Sequence, residues 1–390
     1  MPHNLFDHRF TERVLPSWAL VKPTGLRIQE DITMPELRQD PSTKEWVIIA
    51  TERAKRPHEF QRPNPPVTAS GLGCVFCPGN EHKTPPELWR FPYRSKTWTV
   101  RVVPNKFAAL STQATGSRGE ESPLYHRMDG FGYHEVIVET PHHDRPMPLM
   151  ETEEVKQVLF AFRERYWALR KDQRIKLVLI FKNHGPTAGT SLEHPHCQVI
   201  ATPVIPSYIR HKYDVAIRHY DDTGRCIYCD IVRAEKEAAE RVVQHSEHFL
   251  VFEPFASRSP FETWIAPLRH NSCFARVTDE ELGDLAAVLR ETLARLYYGL
   301  GNPDFNFVIH TAPAEDEAKP YYLWHIQILP RLATPAGFEI GSGIYVNPCF
   351  PEEAASFLRN VRLESTKPAV IARVKQEQPT PQVRCRGHEE

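Results

Sequence analysis

Hydrophobic positions recur in a regular order along the chain. Residues 135–139 are mostly apolar and predict a strand, and the apolar positions within residues 152–172 recur at helical spacing. A second apolar run, residues 175–181, predicts another strand. A glycine-containing loop then leads to a predicted strand at residues 193–200. The first pattern is therefore strand, helix, strand, strand.

The same order returns further along the chain. It predicts strand 262–266, helix 278–300, strand 305–310 and strand 324–329. Thr278, with Glu281 three residues later, predicts a capping box at the start of the second helix. A Cys-x-x-Cys pair precedes each copy. The chain thus contains a degenerate internal repeat, and two such units predict an α+β fold in which each half is an antiparallel sheet with a packed helix.

The repeat also predicts the domain borders. We expect an N-terminal half at residues 1–205, a C-terminal half at 206–363 and a disordered tail at 364–390, which is charged and contains several prolines. Within these halves, residues 38–57 predict a hairpin and residues 337–348 have strand character.

Composition narrows the class of protein. The 390 residues are 41% hydrophobic, enough for two ordinary domains or one large fused domain. Lysine and arginine number 48 against 49 acidic residues, so the charge balance argues against a nucleic-acid partner. No apolar run reaches the roughly 18 residues of a membrane span, and residues 1–13 lack the apolar core of an export signal. We therefore expect a cytoplasmic protein without a membrane partner.

The candidate chemistry lies in the motif His-Pro-His-Cys-Gln that closes the first copy. If it is a strand, His194, His196 and Gln198 share one face, and Pro195 predicts an open strand edge because it has no N–H. A neutral imidazole is a nucleophile toward phosphorus, and an amide can hold a phosphoryl oxygen but cannot shuttle protons. Such a site suits leaving groups that are already good anions, such as sugar phosphates. The alternative is a pair of ordinary half-buried histidines.

Cysteine spacing predicts a metal site in the first copy. Cys74, Cys77, His143 and His194 form a natural tetrahedral zinc set, although the long spacings make it weaker evidence than a compact finger. Four protein ligands leave no open position, so the role would be structural. The alternatives are a dithiol redox pair or buried free thiols, and His142 competes with His143.

The second copy offers an incomplete equivalent. Cys226, Cys229 and His270 match three ligands, but Leu323 stands at the position of the fourth. Either another residue, such as His310 or His325, completes the set, or the second site is empty.

These motifs together resemble the galactose-1-phosphate uridylyltransferase branch of the histidine-triad superfamily over roughly residues 37–363. The resemblance rests on residues 40–41 and 46–49, 53–57 (Arg-Ala-Lys-Arg-Pro), 74–81 (Cys-Val-Phe-Cys-Pro-Gly-Asn-Glu), 105–110, 134–139 and 191–198. It implies two fused histidine-triad-like halves, a homodimer, and ping-pong transfer through a nucleotidyl-histidine. The partners it implies are a nucleotide sugar and a sugar 1-phosphate.

The resemblance also implies roles for single residues. His196 matches the nucleophile, and Gln198 matches the residue that contacts the transferred phosphoryl group. The other matched residues are phosphate-contacting Asn183 and Ser191, nucleotide-contacting Arg53, Arg56 and Asn105, and the zinc ligands Cys74, Cys77, His143 and His194. Loop capping and solvated surface charge are the alternative roles for the phosphate- and nucleotide-contacting residues.

The chain departs from the best-known uridylyltransferases in its second half. The second Cys-x-x-Cys and residues 337–347 resemble ADP-glucose phosphorylase-like relatives more closely. Glu339 matches a hexose-contacting position in a segment that partly serves the partner subunit. The nucleobase of the donor and the identity of the acceptor are therefore less well determined than the type of reaction, nucleotidyl transfer.

Four functions follow as hypotheses. The first is uridylyl transfer between UDP-glucose and galactose 1-phosphate, and the second is adenylyl transfer from ADP-glucose to phosphate. A nucleotide hydrolase is less favoured because Gln198 replaces a third histidine. The last is a non-enzymatic zinc- or nucleotide-binding module. His325 aligns with His196, but the loop before it lacks glycine and serine, which favours a packing role.

Overall fold

A computed structural model describes residues 34–50, 57–60, 71, 73–120 and 122–363. Within these ranges the strands are β1 (Glu36–Gln39), β2 (Trp46–Ile49), β3 (Trp89–Phe91), β4 (Val100–Pro104), β5 (Arg118–Glu120), β6 (His126–Met128), β7 (Tyr133–Val138), β8 (Leu177–His184), β9 (His196–Thr202), β10 (Val242–His245), β11 (Phe249–Phe252), β12 (Thr263–Pro267), β13 (Phe305–His310), β14 (His325–Pro330) and β15 (Tyr345–Asn347). The α-helices are α1 (Thr152–Arg170), α2 (Ser207–Thr223), α3 (Ile227–Ala238), α4 (Asp279–Leu300), α5 (Gly337–Ser342) and α6 (Pro351–Asn360).

Ten strands form one sheet, in the order β10-β11-β12-β14-β13-β8-β9-β7-β4-β3, and every neighbouring pair is antiparallel. The centre of the sheet is the pair β8–β13, in which Phe181 lies opposite Val308. Five strands lie on each side of this junction, and they follow the repeat: β9 corresponds to β14 and β7 to β12. The α+β fold with two fused sheet-and-helix halves is confirmed.

Helices α1 and α4 pack together against one face of the sheet. The buried stripe of α1 comprises Val155, Val158, Leu159 and Phe162, which belong to the same core cluster as Cys197 on β9. Helix α4 begins with the predicted capping box: the Glu281 N–H donates to Thr278 Oγ1 at 3.1 Å, and the Thr278 N–H donates to Glu281 Oε2 at 2.8 Å. Burial of one helical face drives this packing, because each apolar side chain leaves water.

The other face of the sheet is covered differently in the two halves. In the first half, the Cys-x-x-Cys turn places Phe76 in a small cluster with Trp98, Val103, Val136 and Val138. In the second half, α2 and α3 cover the corresponding face. In the first half, this difference leaves open space above β9. In the second half, helices fill the corresponding space.

Several predictions from the sequence need correction. Residues 337–348 are not one strand, because Glu339 Oε2 accepts the Ala336 N–H, a capping bond that starts helix α5, and Gly343 ends it in the left-handed conformation. The short β15 follows and pairs with β2 in parallel. The 38–57 hairpin is present as β1 and β2. Helices α2, α3 and α6 were not predicted. No helix in the described part of the chain is long and apolar enough to cross a membrane.

Candidate functional site

The His-Pro-His-Cys-Gln motif leads into a strand in the interior of the sheet. Strand β9 begins at His196, opposite Val138 of β7, and its next residue, Cys197, lies opposite Lys182 of β8. The predicted open edge is therefore wrong, since β9 has a hydrogen-bonded neighbour on each side. Pro195 precedes the strand, so its missing N–H leaves both ladders intact, and His194 also lies before the strand.

The His196 ring is held in one orientation. Its Nδ1 donates a hydrogen bond to the carbonyl oxygen of His194 at 2.8 Å, and only 7% of the residue is exposed. Because that bond places the proton on Nδ1, the lone pair of the neutral ring is on Nε2. Burial lowers the pKa of His196 and further favours the neutral form. The ring is therefore a neutral imidazole with a free nucleophilic nitrogen.

A cavity of about 400 Å³ adjoins this ring. Its lining includes four of the predicted site residues, namely His196, Gln198, Asn105 and Ser191. Its apolar wall comprises Val75, Phe76, Val103, Val136, Leu192 and the exposed ring of Phe107, and Lys83 and Lys106 add positive charge. Small-molecule sites have this size and this mixture of apolar walls with a few polar groups. The cavity thus fits an anionic ligand that carries a flat ring.

His134 orients the Gln198 amide, a role that the sequence did not reveal. The Ala109 N–H donates to His134 Nδ1 at 3.1 Å, so the His134 proton lies on Nε2. That Nε2–H donates to Gln198 Oε1 at 2.7 Å, and Asn105 Nδ2 lies 3.4 Å from the same oxygen. With its oxygen occupied, Gln198 is left with its NH₂ group as a donor for the cavity. His134 was visible in the sequence only as part of a family motif.

Two of the predicted substrate residues do not line this cavity. Asn183 shares the open face of the sheet with His196 one strand away, but its Oδ1 accepts a hydrogen bond from Asn306 at 2.8 Å. Glu339 lines a different cavity of about 350 Å³ in the second half, with Arg258 and Arg331. Within a single chain, Glu339 therefore does not line the cavity beside His196. Arg53 and Arg56 lie outside the described residues.

The first Cys/His set is assembled as predicted. Cys74, Cys77, His143 and His194 place one ligand atom each within 4.8 Å of one another. The sulfur–Nδ1 distances to His194 are 3.7 and 3.5 Å, close to the separation of about 3.6 Å that tetrahedral zinc bond lengths require. His194 Nε2 donates to the Thr140 carbonyl at 2.8 Å, which leaves Nδ1 for a metal. The described residues thus form a Cys₂His₂ cluster that could hold a metal ion.

The second set stops at three ligands. Cys226, Cys229 and His270 form a group within 4.8 Å, and Leu323 is buried in the neighbouring apolar cluster. His310 instead bonds to Gln327 at 2.9 Å. His325 Nδ1 donates to the Leu323 carbonyl at 3.1 Å. Neither histidine joins this group, so among the described residues no fourth protein ligand is present.

Comparison with known proteins agrees with this geometry. The chain matches the model for the N-terminal domain of galactose-1-phosphate uridyl transferase over residues 25–206 and that for the C-terminal domain over residues 207–364. It is 36% identical to the ADP-glucose phosphorylase of Arabidopsis thaliana over 84% of this chain and 93% of the relative. It is 28% identical to the galactose-1-phosphate uridylyltransferase of Thermotoga maritima over 85% of this chain and all of the relative.

Solved structures show the same relationship. The crystal structure of the Arabidopsis ADP-glucose phosphorylase with bound ADP-glucose has a TM-score of 0.73 and 34% identity, and it is matched over its whole length by 85% of this chain. A uridylyltransferase structure has a TM-score of 0.65 and 28% identity, covering 83% of this chain and 97% of that one. The chain therefore belongs to the galactose-1-phosphate uridylyltransferase family of nucleotidyl-transferring enzymes.

Proposed function

We propose that this protein transfers a nucleoside monophosphate through a covalent intermediate on His196. Nε2 of His196 attacks the α-phosphorus of a nucleoside diphosphate sugar, the bond from that phosphorus to the bridging oxygen breaks, and the sugar 1-phosphate leaves. An acceptor phosphate oxygen then attacks the same phosphorus and His196 leaves. The observation that carries the proposal is the neutral His196 ring at the wall of a ligand-sized cavity, beside the oriented amide of Gln198.

The residues around His196 suit this exchange rather than hydrolysis. The NH₂ group of Gln198 donates to a phosphoryl oxygen as charge develops, and removing a donor of this kind typically costs about 10²–10³ in kcat. The amide of Gln198 is not acidic enough to protonate a leaving group, so a sugar 1-phosphate, which leaves as a stable anion, is the appropriate partner. Ser191 and Asn105 lie on the same cavity wall and contact the substrate in this proposal. Asn183 accepts the bond from Asn306 through Oδ1, so its Nδ2 group is the donor to a phosphate in this proposal.

We infer that the donor is ADP-glucose and the acceptor inorganic phosphate. The higher identity to the ADP-glucose phosphorylase, 36% against 28% for the Thermotoga uridylyltransferase, supports this choice. Uridylyl transfer from UDP-glucose to galactose 1-phosphate, the hypothesis that the sequence alone placed first, is the second candidate. It is supported by the match to both uridyl transferase domain models.

The metal and the partner subunit are also proposals. Zn²⁺ bound by Cys74, Cys77, His143 and His194 would pin the chain two residues before the nucleophile, and with four protein ligands it would act structurally. A homodimer would explain why Glu339 lies away from His196 within one chain. In that arrangement Glu339 serves the hexose site of the partner subunit, and Arg53 and Arg56 contact the nucleotide.

Intact-mass analysis tests the function directly. The protein is mixed separately with ADP-glucose and UDP-glucose without acceptor, and the expected result is one adenylyl adduct on His196 from ADP-glucose. Uridylyl labelling alone would favour the second candidate, and rapid release of free nucleotide would favour a hydrolase. The matched control is His196→Asn, which keeps a planar polar side chain but cannot form the adduct. Absence of any adduct on the wild-type protein rejects the covalent mechanism.

A further inference from the structure

A buried ion pair lies beneath the strand that carries His196. Lys182 of β8 and Glu139, the residue after β7, form it on the side of the sheet covered by α1, and their side chains are 1% and 0% exposed. The sulfhydryl of Cys197 donates to Glu139 Oε1 at 2.9 Å. The three groups form a polar cluster inside an otherwise apolar core, and Glu139 Oε2 is buried there without a hydrogen-bond partner. The cluster lies directly behind the open face on which His196 lies.

This cluster contacts the backbone of the nucleophile itself. Lys182 Nζ donates to the carbonyl oxygen of His196 at 3.4 Å as well as to Glu139. The Glu139 N–H donates to the carbonyl oxygen of Pro195 at 3.1 Å. The bond to Pro195 comes from the backbone and does not depend on the Glu139 side chain, so the ion pair itself holds the His196 carbonyl, through Lys182. A buried ion pair is costly to desolvate and is weak evidence for stability, so a purely structural role does not account for it.

The second half provides an internal comparison. By the shared register, Lys182, Cys197 and Glu139 correspond to Ile309, Ile326 and Pro267, all of which are buried and apolar. His325 nevertheless bonds through Nδ1 to the carbonyl two residues earlier, as His196 does. The fold of this corner thus forms without a charge pair.

The two histidines differ in what can hold their rings. His325 is stacked on Trp264 at 4.5 Å and on His310 at 4.9 Å between centroids, with interplanar angles of 17° and 24°. In the described part of the chain, the ring of His196 contacts one aromatic ring, that of Phe76, at 5.5 Å between centroids and with the planes tilted by 58°. A ring that must meet substrate cannot be covered by stacking. It has to be positioned from behind, through its backbone.

We propose that Lys182 and Glu139 are positioning residues that keep Nε2 of His196 aligned with the α-phosphorus while the covalent bond forms and breaks. This inference rests on the proposed function of His196. Neither residue touches the substrate. Small displacements of reacting groups cost up to about a hundredfold in rate, so the effect belongs in kcat rather than in KM.

The test replaces the pair by apolar side chains of similar size, Lys182→Met with Glu139→Leu, as the second half does naturally. We expect a folded protein with wild-type metal content and KM, and a rate of adduct formation in single-turnover mass spectrometry that is about ten- to a hundredfold lower. The variant Glu139→Gln, which keeps Lys182 and its bond to the His196 carbonyl, should be slowed less than the apolar double variant. The matched control is Arg165→Met with Glu135→Leu, which removes another ion pair of the same sheet face and should leave the rate unchanged.

The outcomes separate the two proposals. An adduct on wild-type His196 that forms equally fast in the apolar double variant overturns the positioning role and leaves the proposed function standing. Equal slowing in the Arg165/Glu135 control, or failure of both the apolar and the Glu139→Gln variants to fold, also overturns it, since the pair would then serve the fold. Absence of the adduct on the wild-type protein rejects the proposed function itself.

Discussion

The orientation of Gln198 by His134 gives a prediction that can be worked through in detail. In His134→Ala, Gln198 Oε1 loses a 2.7 Å hydrogen bond and keeps only the 3.4 Å contact from Asn105. Such a bond contributes about 1 kcal/mol net, so the amide becomes free to turn its oxygen toward the cavity. We expect kcat to fall about tenfold, equal to about 1.4 kcal/mol of transition-state stabilisation.

A double-mutant cycle isolates this effect. Gln198→Ala removes the donor altogether and should lower kcat by about 10²–10³. Because His134 acts through Gln198, the double variant should be no slower than Gln198→Ala alone. The assay is kcat and KM with each nucleotide sugar, together with melting temperature and metal content as controls for folding.

Two results would refute the reasoning. One is a His134→Ala variant with wild-type kcat, which would mean that the amide is held by other contacts. The other is a double variant about tenfold slower than Gln198→Ala, which would mean that His134 acts independently of Gln198. Because His134 is half-buried, melting temperature and metal content are measured on the same samples, so that a loss of folding is detected separately from a loss of activity.

Three further predictions concern the rest of the molecule. Leu323→His should complete the second Cys/His set and raise zinc from about one to about two equivalents per chain by elemental mass spectrometry; two equivalents in the wild type would contradict it. His325→Ala should keep wild-type kcat. Burial lowers the pKa of His325 from 6.5 to about 3, so its neutral form stabilises the fold above about pH 6.5, and this contribution is lost as pH falls toward 3. Below pH 6.5 the free energy of unfolding of the variant should therefore fall less steeply than that of the wild type, by up to about 1.4 kcal/mol per pH unit in urea titrations. An unchanged slope would exclude this. Gly185→Ala should cost about 1–3 kcal/mol in the same assay, because φ is +83° and an added Cβ would lie 1.8 Å from Asp304 Oδ1, whereas Gly341→Ala, with open space around it, should be neutral.

Features that depend on local spacing were predicted from the sequence. The repeat, helices α1 and α4, the Thr278–Glu281 capping box and the strands that flank each helix follow from side-chain periodicity and from bonds between residues three apart. The Cys₂His₂ cluster was also predicted, because thiolate and imidazole ligands favour the same metals wherever the chain brings them together.

Features that depend on strand pairing were not predicted from the sequence. Whether β9 is an edge or an interior strand depends on β7 and β8, which end about 60 and 10 residues before β9 begins and whose register the motif itself does not encode. The same register brings His134 to Gln198 and Lys182 to Glu139, contacts spanning 64 and 43 residues.

The sequence by itself thus determined which chemical groups this protein has and how they are spaced within each copy of the repeat. Tertiary structure alone decided that the His196 ring opens onto a cavity while the His325 ring is enclosed by Trp264 and His310. The physical reason is that a nucleophile's exposure and orientation are set by what packs on each face of its strand, and those neighbours come from distant parts of the chain.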